Sequence, residues 1–467
     1  MAVRTLNTDY LIVGCGAAGM AFADTLIAES DADVIMVDRR AAPGGHWLDA
    51  YPFVRLHQPS LYYGVNSMSL GEDALLSDGP EAGLYPRASG AEICAYYDRV
   101  MGARLIPSGR VRYFPQSDYL GGHRFASRLS GETFEVDVRR NVVDATYLSP
   151  GIPATTPPPF DVGHGTTVIP VNELGDLAGA PGRFIIVGAG KTAMDACVWL
   201  LLGGVDPTQI QWIKPRESWL MNRAYAQPGV HVGRLLMGLA LQMEAAARAS
   251  SADDLFDRLE AGEQFRRVDR GVRPTMYRGA TIGDWEITLL RRIEDVVRLG
   301  HIRRVERGRI ELDGGTVRAG PRDVFVHCAA EGLRRPPSRP IFGAGVITLQ
   351  PVRTGLIPFN AALVAFVEAH REDPAEKNRL CPPNPLPSTA LDWARSTLIQ
   401  MRADRAWSQE DDIAAWLERS RLNPMRGLRT RTGDPVVEEA SRRFAAHAGP
   451  GLARLAGLLP TGEPAAR

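Results

Sequence analysis

DYLIVGCGAAGMAFADTLIA, residues 9–28, carries the reading of the fold. Asp9–Val13 is a short apolar run of the length of a buried strand, and the Ala, Met, Phe and Leu spacing after the turn is helical. VIMVD (34–38) follows as a second strand. The same unit recurs as RFIIV (183–187), GAGKTAMDACVWLLL (188–202) and IQWIK (210–214). The chain is therefore expected to be α/β, with two copies of one strand–turn–helix–strand module. Between the copies, HRFASRLS, TFEVDV and NVVDATYL read as a three-stranded antiparallel meander. SPGIPATTPPPF, after them, is a proline-rich connection that continues neither helix nor inner strand. Gly233–Glu260 reads as an inserted helical hairpin within about 225–275, and Asp284–Leu299 as a further helix. DVFVHC (323–328) is an apolar run, and PFNAALVAFVEAH (358–370) is a helix opened by Pro358. The expected division is 1–165 and 319–372 for a unit around the first module, 166–318 for the second, and a mostly helical region over 373–467.

Composition narrows the function classes. The 467 residues suit about three domains, and 45% hydrophobic with 23% charged residues is ordinary for a globular protein. Lys+Arg and Asp+Glu are both 54, so no long-range basic field for nucleic acid is expected. Five scattered cysteines fit reduced thiols in a cytoplasmic protein better than a disulfide framework. No leader pattern opens the chain, and its apolar stretches fall short of the ~20 residues of a membrane span, so no membrane association is expected.

Gly14, Gly16 and Gly19 fit GxGxxG, with Ala17 and Ala18 between them. With 47 glycines in the chain such a triplet is weak by itself; the strand before it and the helix after it carry the weight. Such glycines let backbone approach a pyrophosphate at a helix N-terminus, and Asp38, ending the next strand beside Arg39, is placed to accept from an adenosine ribose. Gly343 and Gly345 also make GxG, but the β-branched VITLQ that follows opens no helix. In the second copy, Gly188 and Gly190 with Ala193 give the GxGxxA form, with Lys191 and Thr192 between Gly190 and Ala193. No acid ends its next strand; Lys214 and Arg216 stand there, which suits a 2′-phosphate and hence NADPH. Only three lysines occur in the chain, and Lys191 and Lys214 are two of them; solvated surface lysines are the alternative reading.

Two such modules in this order resemble the two-dinucleotide-binding-domain flavoproteins, in which the first Rossmann-like domain holds FAD and the second, inserted one holds NADPH. Gly44-Gly45-x-Trp47, with His46 inside it, resembles the GGxW signature of class B flavin monooxygenases. That resemblance covers roughly residues 8–370. It implies that NADPH reduces FAD, O2 adds to give a C4a-(hydro)peroxyflavin, and one oxygen atom passes to a small organic substrate, by heteroatom or ketone oxidation. The inserted hairpin and the C-terminal helices are then candidates to shape the substrate cavity. In YPFVRLHQP (51–59), His57 stands where these families place Asn or Asp near the flavin's reactive edge, and an imidazole there is a candidate catalytic acid or base. A structural histidine is the other reading. The family linker FxGxxxHxxx(W/F) is missing: FDVGHGTTVIPVNEL puts Pro170 at the linker histidine. A flavoprotein oxidase or dehydrogenase of the same fold therefore stays open, as does a redox sensor or a reductase for a protein partner. No CxxC pair, HExxH spacing, Cys–His cluster or GxSxG elbow is present, so dithiol, metal and hydrolase chemistry have no candidate in the sequence.

Overall fold

The computed structural model describes residues 4–460. Both copies of the module build parallel sheets with the same strand order. In the first, strands Val111–Phe114, Val34–Val37, Arg4–Val13 and Thr133–Asp144 lie side by side, and Val346–Thr348 extends the edge. In the second the order is Val296–Val297, Ile210–Ile213, Phe184–Val187, Val324–His327 and Thr167–Pro170. Each sheet therefore reverses direction beside its first strand, which is where open α/β sheets hold ligands at the strand carboxyl ends.

The helices are α1 (Ala17–Glu29), α2 (Gly90–Val100), α3 (Lys191–Leu202), α4 (Val232–Arg248), α5 (Ala252–Ala261), α6 (Asp284–Leu290), α7 (Ile357–His370), α8 (Pro374–Leu380), α9 (Ala390–Trp407), α10 (Asp411–Arg419) and α11 (Pro435–Leu458). α1, α2 and α7 cover one face of the first sheet around Ile12, Val34 and Met36. The other face of that sheet packs Leu11 and Ile35 against Phe125 and Phe134. α3 and α6 cover the second sheet around Ile186, Trp212 and Val326. A third core of Trp219, Phe256, Phe265, Tyr277 and Trp393 joins α4, α5, α9 and α11.

Three expectations need correction. The meander exists, but its strands are Ser117–Gly121, Arg124–Ser127 and Thr133–Asp144. TFEVDV and NVVD are one strand, because it pairs along the whole of Arg4–Val13 and a bulge at Thr8/Tyr10 absorbs the break in the apolar pattern. The helix expected over Asp284–Leu299 ends at Leu290, and Val296–Val297 joins the second sheet. Val324–His327, expected on the first unit, pairs with Phe184–Val187 and Thr167–Pro170 in the second sheet; the chain rejoins the first sheet only at Val346–Thr348.

Candidate active site between the two sheets

The carboxyl ends of both sheets open into one continuous cavity of about 1800 Å³. Of the residues singled out in the two glycine loops, the GGxW stretch, the strand ends and His57, all but Gly19, Gly44, Ala193 and Lys214 line it.

The glycines divide by role. Gly14 has φ +102°, and a β-carbon there meets the Thr146 methyl at 2.9 Å. At Gly19 a β-carbon falls 2.0 Å from the Gly14 carbonyl oxygen, so this glycine serves helix–strand packing and not a ligand directly. Gly16 is different: the nearest protein atom to its β-carbon position is at 3.4 Å. Gly190 in the second copy has nothing within 4 Å, while Gly188, at φ +137°, abuts Cys328. Gly190 thus faces open space, whereas Gly16 lines the cavity with its Cα against the Gly45 backbone. Gly16 and Gly190 are also the N-caps of α1 and α3, and neither helix has a side-chain cap. Their first-turn N–H groups, at Ala17, Ala18, Lys191 and Thr192, are left to an anion or water.

Asp38 is buried and accepts from the backbone N–H of Cys15 at 2.6 Å and of Arg40 at 2.8 Å, which ties the glycine loop to the second strand. Arg39 is exposed at the cavity, and its neighbour Arg40 grips Asp49 at 2.6 Å. Gly44 and Gly45 have φ of +130° and +60°, and a β-carbon on Gly45 would sit 2.9 Å from the Gly16 Cα. The pair is needed so that the two loops can touch. Trp47 follows, its ring nitrogen donating to Tyr63 Oη at 2.8 Å, with the His46 ring 4.9 Å from its own. Burial, then the charge of Arg40, pulls His46 down to about 4.

Lys214 and Lys191 do not meet the phosphate expectation. The Lys214 ammonium is buried, bonded to Glu217 at 2.5 Å and 4.1 Å from the centre of the Trp212 ring. Lys191 lines the cavity, but its ammonium is held by Asp195 and by Glu286 at 3.1 Å. Among the cations that line the cavity, Arg278 has Arg216 and Arg335 close enough to act on its charge. Burial lowers the Arg278 guanidinium, and the like charges of Arg335 and Arg216 lower it further. Sequence reading missed Arg278 and Arg335 because they lie far along the chain from the second glycine loop, in stretches without a motif.

The lysine's partners belong to a buried chain of ion pairs between the sheets. Tyr51 donates to Asp195 at 2.7 Å; Lys191 joins Asp195 to Glu286. Arg223 reaches Glu286 at 2.6 Å and also Glu81, and Arg87 closes the chain on Glu81 at 2.9 Å. Three acids and three bases balance, which is the condition under which buried charge is tolerated. His57 lies among them. Its carbonyl accepts from Thr281 Oγ1 at 2.5 Å, and its ring nitrogens have no hydrogen-bond partner among the described residues. Burial, then the Lys191 charge, holds the imidazole at about 4, so it is neutral at pH 7. A neutral, unpartnered imidazole facing the cavity is equipped to donate to or accept from a bound molecule.

Ala145-Thr146-Tyr147 and Ala329-Ala330-Glu331 leave the fourth strand of each sheet beside its first glycine. All five cysteines are free thiols, Cys94 being half-buried and the other four buried. Among the described residues no cluster of three metal-ligating side chains occurs, and no helix is long and apolar enough to cross a membrane.

No family model matches the chain. Among solved structures, an open form of cyclohexanone monooxygenase is 12% identical, with 95% of this chain and 98% of that chain covered and a TM-score of 0.49. A steroid monooxygenase bound to NADP is 14% identical over 78% of this chain and 85% of its own, also at 0.49. Sequence relatives are far nearer. Uncharacterized protein Rv2000 of Mycobacterium tuberculosis is 46% identical over 459 residues, 97% of this chain and 85% of the relative. Uncharacterized protein Mb2023 of Mycobacterium bovis matches equally. At that identity and coverage, the chain belongs to the same family as Rv2000 and Mb2023.

Proposed function

We propose that this protein is an FAD-containing, NADPH-dependent monooxygenase that transfers one oxygen atom from O2 to a small organic substrate. The observation that carries the reading is the pair of uncapped, glycine-lined helix starts at the carboxyl ends of two like sheets, opening into one cavity. Both middle glycines line the cavity without a side chain at an uncapped helix start, and Gly190 has open space around it, so the residues fit a dinucleotide in each module. In this reading residues 1–165 with the returning segment near 342–372 hold FAD, and the second sheet holds NADPH.

FAD, when bound, supplies electron transfer and oxygen activation. The chain's own groups do the rest. The amides of Ala17 and Ala18 bind the first pyrophosphate, and Asp38 orients the adenosine ribose. Trp47, fixed by Tyr63, walls the ring system. The amides of Lys191 and Thr192 take the second pyrophosphate, with Arg216, Arg278 and Arg335 receiving the 2′-phosphate in place of Lys214. His57 holds or moves a proton at its unpartnered ring nitrogen, and the ion-pair chain around it keeps the imidazole neutral and fixed.

One observation favours a second reading, an oxidase that bypasses NADPH: both lysines expected at the second nucleotide are engaged inside the protein. A single experiment decides. The purified protein should show a bound-flavin spectrum that NADPH bleaches without air and that air restores. With substrate, NADPH and O2 should be consumed one-to-one with product. Bound flavin that NADPH leaves oxidised refutes the proposal, and hydrogen peroxide formed from substrate without NADPH establishes the oxidase.

A further inference from the structure

We infer that Arg421, in the stretch after α10, is a positioning residue for Trp47: its guanidinium clamps the Tyr63 backbone, and the Tyr63 hydroxyl sets the indole. The link from Arg421 to Trp47 stands on hydrogen bonds within the chain; its use to the flavin rests on the monooxygenase reading. Three observations carry it.

The first is that this part of the C-terminal region is built into the first module, although it lies beyond residue 370 and carries no motif. Ile413, Trp416 and Leu422 are buried in the core around α1, α2 and α7, and the Trp416 ring stacks on Phe366 of α7 at 5.3 Å. Ser420 donates to the Asn66 side-chain oxygen at 2.9 Å. Pro424 and Met425, a few residues on, line the cavity. The stretch therefore runs from the segment that carries Tyr63 to the site itself.

The second is the relay. Arg421 donates from Nη1 and Nη2 to the single Tyr63 carbonyl oxygen, at 2.8 and 2.9 Å. The next residue, Gly64, has φ +98°, and a β-carbon there would run into the Tyr96 hydroxyl. That hydroxyl accepts from the Val65 N–H at 2.7 Å and donates to the Met68 carbonyl at 2.8 Å. The backbone that bears Tyr63 is thus gripped by Arg421 on one side and by Tyr96 on the other. The Tyr63 hydroxyl accepts from Trp47 Nε1 at 2.8 Å, with the two rings perpendicular and their centres 6.2 Å apart. Whatever fixes Tyr63 therefore fixes the indole.

The third is charge. Among the described residues no carboxylate lies within ion-pair distance of Arg421, and burial pulls its pKa down. Asp24, whose charge reaches it, is bonded to the Ser67 N–H and close to Arg104. A cation taken from water without a counter-ion costs stability, so packing alone would favour an apolar side chain here. What a guanidinium supplies, and an apolar group does not, is a rigid fork of N–H donors that closes on one oxygen.

The test uses the full chain labelled with 5-fluorotryptophan and read by fluorine NMR, with and without FAD. Eight tryptophans give eight lines, and the one lost in Trp47→Phe belongs to Trp47. Arg421→Met, which keeps length and removes the donors, should displace or broaden the Trp47 line in both forms. Trp199, exposed on α3, should keep its line. Arg421→Lys, which restores a charged donor, should bring the Trp47 line back toward its parent position. In the loaded enzyme, Arg421→Met should shift the flavin absorption band and cut kcat by about 10- to 100-fold, the cost of a misplaced reacting group, with the KM for NADPH unchanged. Should Arg421→Met fail to fold, Arg421→Gln carries the same comparison with a smaller displacement. A Trp47 line at its parent position in either folded variant overturns the proposal, as does a change spread equally over all eight lines. A Trp47 line that moves in the Arg421 variants but not when FAD is added leaves the relay standing and refutes the placing of Trp47 at the flavin.

Discussion

Glu286→Ala probes how the two sheets are joined. The buried Glu286 carboxylate holds Lys191 at 3.1 Å and Arg223 at 2.6 Å, and accepts from the Gly283 N–H at 2.7 Å. Burial alone would raise its pKa, but the charges of Lys191, Arg223 and Arg87 outweigh that and hold it at about 2, against an ordinary 4.5. At 1.36 kcal/mol per pH unit the depression corresponds to about 3 kcal/mol. Removing one partner from a buried pair costs about 3–5 kcal/mol, in agreement. Since the folded pKa lies below the unfolded one, this stability is complete above pH 4.5 and is lost as pH falls toward 2. With a urea m-value near the upper end of the usual range, about 3 kcal/mol per molar, the variant's unfolding midpoint at pH 7 should fall by about 1–2 M. At pH 3 the gap between variant and parent should shrink to less than half. Adding Lys191→Met should recover much of the loss, because charge is then removed in a balanced pair. Urea titrations followed by tryptophan fluorescence at both pH values read all three. A midpoint shift below about 0.3 M at pH 7, or one independent of pH, refutes the reasoning.

Gly16→Val should give folded but colourless protein, whereas Gly19→Ala should fail to fold, because only at Gly19 does a β-carbon strike backbone; flavin absorbance and circular dichroism distinguish them, and a yellow Gly16→Val protein would refute the first assignment. Lys214→Met should leave the NADPH/NADH preference of flavin reduction unchanged, while Arg278→Ala and Arg335→Ala should each lower it roughly 10- to 150-fold, at about 1.5–3 kcal/mol per charge-assisted contact; the reverse outcome restores the lysine. His57→Gln should cut the product-forming rate by about 10²–10⁴-fold and divert oxygen to hydrogen peroxide. Because burial and Lys191 hold this imidazole at about 4, the parent rate should show no limb near pH 6.5 that vanishes in the variant; stopped-flow reoxidation across pH 5–8 checks both.

The α/β class, the two glycine loops with the helices that follow them, the inserted hairpin and α7 were legible from the sequence, because each rests on local chemistry, whereas α2 was missed and α9 and α11 were foreseen only as part of a mostly helical region. Positive φ demands glycine at Gly14 and Gly188, and a buried parallel strand demands an unbroken apolar run such as Phe184–Val187. Pro358 likewise marks the start of α7 from its own geometry. What the sequence could not determine were partnerships between distant segments. Whether TFEVDV and NVVD are two strands or one depends on Arg4–Val13 lying alongside them, more than a hundred residues away. Lys214 and Lys191 had the residue type and spacing of phosphate ligands. Folding buries both ammonium groups against carboxylates, Lys214 on the nearby Glu217 and Lys191 on Asp195 and the distant Glu286, and that burial is not written in the residue types. Arg278 and Arg335 converge on the cavity only through strand pairing and a long return loop, and the neutrality of His57 follows from its burial by other segments and then from the Lys191 charge. Local backbone geometry was written in the sequence; the electrostatics of the site, being a sum over neighbours brought together by folding, was decided by the tertiary structure.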